Sequence, residues 1–185
     1  SSGAYLRSFG SYGYGCNQWR YSRQFTIYND KIYVTDYYGK RVLVISLTGQ
    51  CIQSRATVFN YPHSIAVNSQ YVFVGNNGTS IETFTTNGLY QSGYQYFSSG
   101  DLNYAWGMAL NSAGNRLIVA GYVNNMLSEF TVSGSQLSFV KKTSSSRSSS
   151  SNGYFSRPTD AGYDSSGNIY ATDLYNHRIQ KFNSS

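Results

Sequence analysis

The stretch DAGYDSSGNIYATDLYNHRIQKF, Asp160 to Phe182, reads as two strands around a Ser-Ser-Gly-Asn turn, then a polar loop and a third strand. Apolar and polar residues alternate with period two in the strand segments, and Gly167-Asn168 tolerates the positive φ that a tight hairpin needs. The loop carries Asp173, Asn176, His177 and Arg178. Such a group suits a metal site, a catalytic constellation or a piece of architecture, and only the rest of the chain can choose between them.

The pattern recurs. KIYVTD (Lys31–Asp36), YVFVGN (Tyr71–Asn76), RLIVAG (Arg116–Gly121) and NIYATD (Asn168–Asp173) are equivalent strands, each preceded across a short turn by another apolar run. A third run follows each pair (RVLVIS, SIETFT, MLSEFT and RIQKF), and in three units a fourth (QCIQS, LYQSGYQYF and QLSFVKK). Upstream of every unit a large apolar residue stands three positions before a small one: Trp19/Ser22, Phe59/Pro62, Leu102/Ala105 and Phe155/Pro158. Spacings of about 40 to 52 residues and four strands per unit predict an all-β chain, a β-propeller of four blades. The expected blades span approximately 19–58, 59–101, 102–142 and 155–182, with a Ser-rich insertion at 143–153, all in one domain.

The last unit strongly resembles an NHL repeat, whose pattern runs G-x-F-x-x-P, a strand, D-x-x-G-N-I-Y-V-x-D, N-H-R-I and a closing Phe. The first unit keeps the pattern more loosely, and the middle two look like worn versions. The resemblance implies an NHL-type propeller. Some relatives of that kind are lyases that hold zinc with His residues at the mouths of the inner strands, and others bind RNA on a basic face. The comparable rim positions here are Arg23, His63, Trp106 and Thr159. One His cannot supply the three protein ligands of a catalytic zinc, so neither metal nor cofactor is expected and these four remain candidates for binding at the channel rim. No G-x-S-x-G elbow occurs, and six Asp with two Glu are a thin supply for calcium; a non-enzymatic role is expected.

The repeats answer the opening question. Asp173 and Arg178 are five apart, as are Asp36 and Arg41, while the matching places hold Asn76 and Ser80, then Gly121 and Met126. Acid and base appear or vanish together, as expected of a turn brace in which a carboxylate accepts from loop amides and a guanidinium.

The final unit lacks a fourth strand, whereas GAYLRSFG (Gly3–Gly10) belongs to no complete unit. The expectation is that Tyr5–Phe9 completes the last blade, either within one chain or in a neighbour, since a bare edge invites aggregation.

The remaining signals concern setting. The net charge of +6 is spread along the chain, so nucleic acid is the lesser expectation. No apolar run is long enough to span a membrane. The chain lacks an initiator Met and a signal-like segment, which reads as a processed or trimmed form. Sequons at Asn77 and Asn183 fall in expected turns, and the Ser144–Ser151 run lacks the apolar side chains to pack; it reads as an exposed, mobile loop, either a carrier of O-glycans or a plain insertion. Cys16 and Cys51 either pair or are two small buried residues. Nineteen Tyr provide flat apolar area with polar tips, suited to sugars or protein contacts. Together these predict an extracellular glycoprotein that binds protein or carbohydrate, alone or within a larger assembly or filament.

Overall fold

A computed structural model describes residues 3–56, 59–88, 90–143 and 147–183. Among them a 3-10 turn at Leu174–Asn176 is the sole helical element, and all other regular structure is strand. A short parallel ribbon joins β1 (Ser11–Tyr12) to β2 (Gln18–Trp19). Four antiparallel sheets follow, each with its strands in chain order. The first contains β3 (Ser22–Tyr28), β4 (Lys31–Asp36), β5 (Arg41–Ser46) and β6 (Cys51–Arg55). The second contains β7 (Ser64–Val67), β8 (Tyr71–Gly75), β9 (Ser80–Thr85) and β10 (Tyr90–Tyr96). The third contains β11 (Ala105–Leu110), β12 (Arg116–Gly121), β13 (Met126–Ser133) and β14 (Gln136–Lys142). The fourth has three strands: β15 (Pro158–Tyr163), β16 (Ile169–Asp173) and β17 (Arg178–Phe182).

Local chemistry explains the hairpins. Asn29 and Asp30 both adopt positive φ, 47° and 56°, in the two-residue turn between β3 and β4, the geometry that matches strand twist. Before β16, Asp164 accepts from the N–H groups of Ser166 and Asn168 at 2.9 and 2.8 Å and closes the Ser-Ser-Gly turn.

No single sheet has a core of its own; the core lies between sheets. Tyr33, Val42 and Val44 of the first sheet pack on Ile65, Val72 and Val74 of the second. Ala66, Phe73 and Ile81 on the second sheet's other face meet Met108, Val119 and Phe130 of the third. Ile118, Ala120 and Leu127 meet Ala161, Ile169 and Ala171 of the fourth. The innermost strands therefore pack in sequence, β3 on β7, β7 on β11 and β11 on β15. The anchors Phe59, Leu102 and Phe155 are buried, while Trp19 is only half-buried.

The fourth strand expected for the last sheet does not form within the chain. Residues 3–10 adopt no regular structure, Tyr5 and Leu6 are exposed, and β17 is the last strand of its sheet. The N-terminal segment is instead held on the first sheet. Phe9 lies so close to Gly49 that a Cβ there would stand 2.7 Å from its ring. Cys16 is bonded to Cys51 with Cα atoms 5.7 Å apart, and Arg41 donates to the carbonyls of Gly13, Tyr14 and Gln18. Those tethers pull the chain start toward β5 and β6, away from β17.

Candidate functional site

The ends where β3, β7, β11 and β15 begin converge on one rim. Arg23, His63, Trp106 and Thr159 come together there, with Gln24, Gly107 and Asp160, around a hollow of about 160 Å³. The offset from anchor to small residue repeats, so the residue after each small one reaches the same level of the fold.

Tyrosines surround this group. Tyr21, Tyr61, Tyr104 and Arg157 occupy the position just before each small residue. Tyr61, Tyr104 and Arg157 take left-handed backbone, φ 53°, 62° and 59°, which is uncommon for bulky side chains and places the chain reversal at the rim. Loops after the second strand are stitched to the same place: Tyr37 N–H donates to the Tyr21 carbonyl at 2.8 Å, and Tyr122 N–H to that of Tyr104 at 3.0 Å. Each stitch puts an entry ring beside a loop ring.

The result is an aromatic platform interleaved with cations. The His63 ring lies 4.7 Å from Tyr37, 5.0 Å from Tyr104 and 4.7 Å from Trp106. Trp106 stacks on Tyr122 at 4.2 Å with 24° between planes. The Arg23 guanidinium sits 4.7 Å from the Trp106 ring, 4.9 Å from Tyr21 and 5.0 Å from Tyr37. Arg157 lies 4.7 Å from Tyr122, and Lys40 lies 4.3 Å from Tyr61. Such cation–π contacts are worth roughly 0.5–2 kcal/mol each.

Electrostatics follow from burial. His63 is pushed down to about 4, first by desolvation and then by repulsion from Arg23, so it is neutral near pH 7. Among the described residues neither of its ring nitrogens finds a hydrogen-bond partner. Desolvation at the hollow likewise raises the Asp160 carboxyl. Burial, followed by the hydrogen bond to Tyr104, raises the Tyr37 phenol. The rim therefore presents aromatic faces and Arg charge around a neutral imidazole. Among the described residues no three His, Cys, Asp or Glu side chains cluster in a way that could hold a metal ion.

The members of each acid–base pair face each other across the ends of the second and third strands of their sheet, Asp36 opposite Arg41 and Asp173 opposite Arg178. Asp36 Oδ2 accepts from Arg41 Nε at 3.0 Å, and its Oδ1 from the N–H groups of Arg20 and Tyr21. Asp173 Oδ2 accepts from Arg178 Nε at 2.9 Å, while Oδ1 accepts from Ser156 N–H. Each guanidinium also donates to carbonyls of the incoming loop: Gly13, Tyr14 and Gln18 in one sheet, Ser150, Ser151 and Tyr154 in the other. Asn176 donates to Asp173 and to the Ser149 carbonyl, and His177 takes left-handed backbone (φ 52°) at the end of the 3-10 turn. In the second sheet Asn76 donates to Glu82 at 2.8 Å in place of the ion pair. The Ser run is thus partly anchored: Ser148, Ser150 and Ser151 are exposed, yet the carbonyls of Ser149 to Ser151 are held. Residues 144–146 lie outside the described part. Asn77 sits half-buried between β8 and β9, its N–H bonded to the Asn60 and Tyr61 carbonyls. Asn183 is exposed after β17, and the other two residues of its sequon lie outside the described residues.

The small-residue offset located Arg23, His63, Trp106 and Thr159 in the sequence, but the tyrosines were missed. Their signal was present: Tyr directly precedes the small residue in three units, and follows Asp36 and Gly121 in two.

Residues 155–182 match the NHL repeat family. No curated protein matches the chain significantly. Similar solved structures include a catalytically inactive virginiamycin B lyase from Staphylococcus aureus with quinupristin, 15% identical, with a TM-score of 0.63 over 89% of this chain and 56% of the other. A putative 6-phosphogluconolactonase from Bacteroides uniformis is 10% identical, with a TM-score of 0.61 over 85% and 55%. Hydrazine synthase from Kuenenia stuttgartiensis is 13% identical, with a TM-score of 0.57 over 82% and 45%. At such identities the likeness shows the fold alone, and the chain spans about half the length of these proteins.

Proposed function

We propose that this chain, which carries an NHL repeat on a β-propeller fold, is a non-enzymatic extracellular binding module whose rim platform takes carbohydrate, free or borne by a partner protein. The observation that carries this reading is the run of ring faces from Tyr21 and Tyr37 through His63 and Trp106 to Tyr122, with Arg23 and Arg157 against it. Sugar rings stack on such faces through their C–H surfaces, while phenol, indole and guanidinium groups supply hydrogen bonds at the edges. The disulfide between Cys16 and Cys51 supports an oxidising compartment. Glycans at Asn77 and Asn183, and a place in a larger assembly, belong to the same reading; peptide mapping of native material checks the two sequons. An enzymatic role is disfavoured because the imidazole of His63 is enclosed by rings and has no acidic or nucleophilic partner among the described contacts.

RNA binding is the second reading. It requires Arg20, Arg23, Arg41, Arg157 and Arg178 on one surface, but Arg41 and Arg178 are spent on Asp36, Asp173 and loop carbonyls. The test is a titration of the folded chain with neutral and acidic oligosaccharides, followed by Trp106 emission and calorimetry. Saccharide binding that is lost in Trp106→Ala and weakened at least about tenfold in Arg23→Ala supports the proposal. Absence of any saccharide effect, with tight and salt-dependent binding of single-stranded RNA, overturns it.

A further inference from the structure

Register makes the four sheets comparable position by position. Phe25, Ile65, Met108 and Ala161 are equivalent residues of the innermost strands, paired with Val34, Val74, Val119 and Ala171. Each points toward the preceding sheet. Ile65, Met108 and Ala161 are 2%, 2% and 6% exposed, whereas Phe25 is 63% exposed and Ile27 beside it 55%. Among the described residues no four-stranded sheet packs in front of the first, so the same design is left uncovered.

The opposite faces behave alike. Tyr33, Phe73 and Ile118 point toward the following sheet and are at most 1% exposed, but their equivalent Tyr170 is 39% exposed. On the third strands, Val42, Ile81 and Leu127 are likewise covered, while Ile179 is 69% exposed. The chain therefore ends in two sheet-to-sheet faces that never meet each other.

Their shapes are complementary. Along the following-sheet face of the innermost strands stand Thr26, Ala66, Ala109 and Gly162, opposite Tyr33, Phe73, Ile118 and Tyr170. In the interior these small residues make room for the next sheet's apolar side chain; Ala66 and Met108, for example, share one cluster. Gly162 is the smallest of the set and has no heavy atom within 4 Å of where a Cβ would stand. It floors a hollow of about 190 Å³ edged by Asp160, Tyr170, Thr172 and Ile179. Phe25 is the bulkiest of its own set. The widest hole and the largest knob are the two that lack partners.

We propose that the four sheets are blades of an open arc, and that a second copy of this chain closes it, Phe25 and Ile27 of each copy seating over Gly162 of the other. The two faces differ, so the contact is head to tail. A two-fold arrangement uses each face twice and closes. One chain covers 56% of the length of a similar solved propeller protein, so two arcs supply about one ring.

Sedimentation and native mass spectrometry of the 185-residue chain test this. The expected species is about 41 kDa, twice the 20.6 kDa of one chain. Phe25→Ser removes the knob and Gly162→Phe fills the hole; Phe25 is exposed and a Cβ at half-buried Gly162 meets open space, so circular dichroism should show the native fold in each. Each variant alone should dimerise at least about tenfold more weakly, the scale of a central interface anchor. An equimolar mixture should regain a two-chain species, because one copy still offers Phe25 and the other Gly162. A chain that is monomeric throughout, as when further blades of one longer polypeptide cover these faces, overturns the proposal. So does a polymer longer than two chains, or a dimer that neither substitution weakens.

Discussion

Removing Arg41 should cost far more stability than removing Arg178, although both guanidinium groups pair with an aspartate at the same register. The Arg41 side chain is 5% exposed and that of Asp36 is 0% exposed, with 3.0 Å between Nε and Oδ2. Arg41→Met would leave a wholly buried carboxylate without its counter-charge, a loss of about 3–5 kcal/mol in comparable cases. The N–H groups of Arg20 and Tyr21 remain on Oδ1, and the freed carbonyls of Gly13, Tyr14 and Gln18 lie near solvent, so a value near 3 kcal/mol is expected. Arg178 is 25% exposed, and Asp173 keeps Asn176, Gln180 and Ser156 N–H as donors. Those remaining donors keep the buried carboxylate satisfied and the guanidinium is partly in solvent, so about 1 kcal/mol is expected for Arg178→Met. With a urea m-value of about 2 kcal/mol/M, the midpoints should fall by about 1.5 M and about 0.5 M. Asp36→Asn combined with Arg41→Met removes the stranded charge and should recover part of the loss. Equal costs for the two arginines, or a double variant no better than Arg41→Met, would refute this account of the braces. Lost saccharide binding with unchanged stability would instead make them part of a binding site.

His63 has a folded pKa near 4 against about 6.5 when unfolded, so the unfolded chain binds the proton first; stability is full above pH 6.5 and falls between about 6.5 and 4. Urea midpoints measured across that range should show this acid limb in the native chain and lose it in His63→Phe; a shared limb would assign it to other groups. Cys51→Ser opens the link between positions 35 residues apart and should cost about 4 kcal/mol by loop entropy, with faster proteolysis of residues 3–16; an unchanged melting curve would count against a disulfide in solution. Phe73→Ala, at a site 0% exposed between the second and third sheets, should cost about 3–5 kcal/mol in urea unfolding; a loss under 1 kcal/mol would mean that the sheets do not pack as described.

Much of the fold is a property of the sequence alone, because period-two alternation and turn chemistry act over a few residues. Strand identity, hairpin order and the four-fold repeat follow from such local signals, and so does the spacing of five that sets Asp36 opposite Arg41 and Asp173 opposite Arg178 across their loops. The offset from anchor to small residue likewise brought Arg23, His63, Trp106 and Thr159 to one level. The course of the chain start was decided only in three dimensions. Tyr5–Phe9 has the pattern of a strand, but the disulfide and the carbonyls held by Arg41 keep it on the first sheet. The aromatic platform needed tertiary structure too, since Tyr21, Tyr61, Tyr104 and Tyr122 are far apart in the chain and meet only because successive sheets stack side by side. Exposure was the last thing the letters could not carry. Phe25 and Ile65 are equivalent apolar residues on equivalent strands, and what separates 63% from 2% exposure is whether another sheet stands in front of them. Burial belongs to the packing of neighbours, not to the residue.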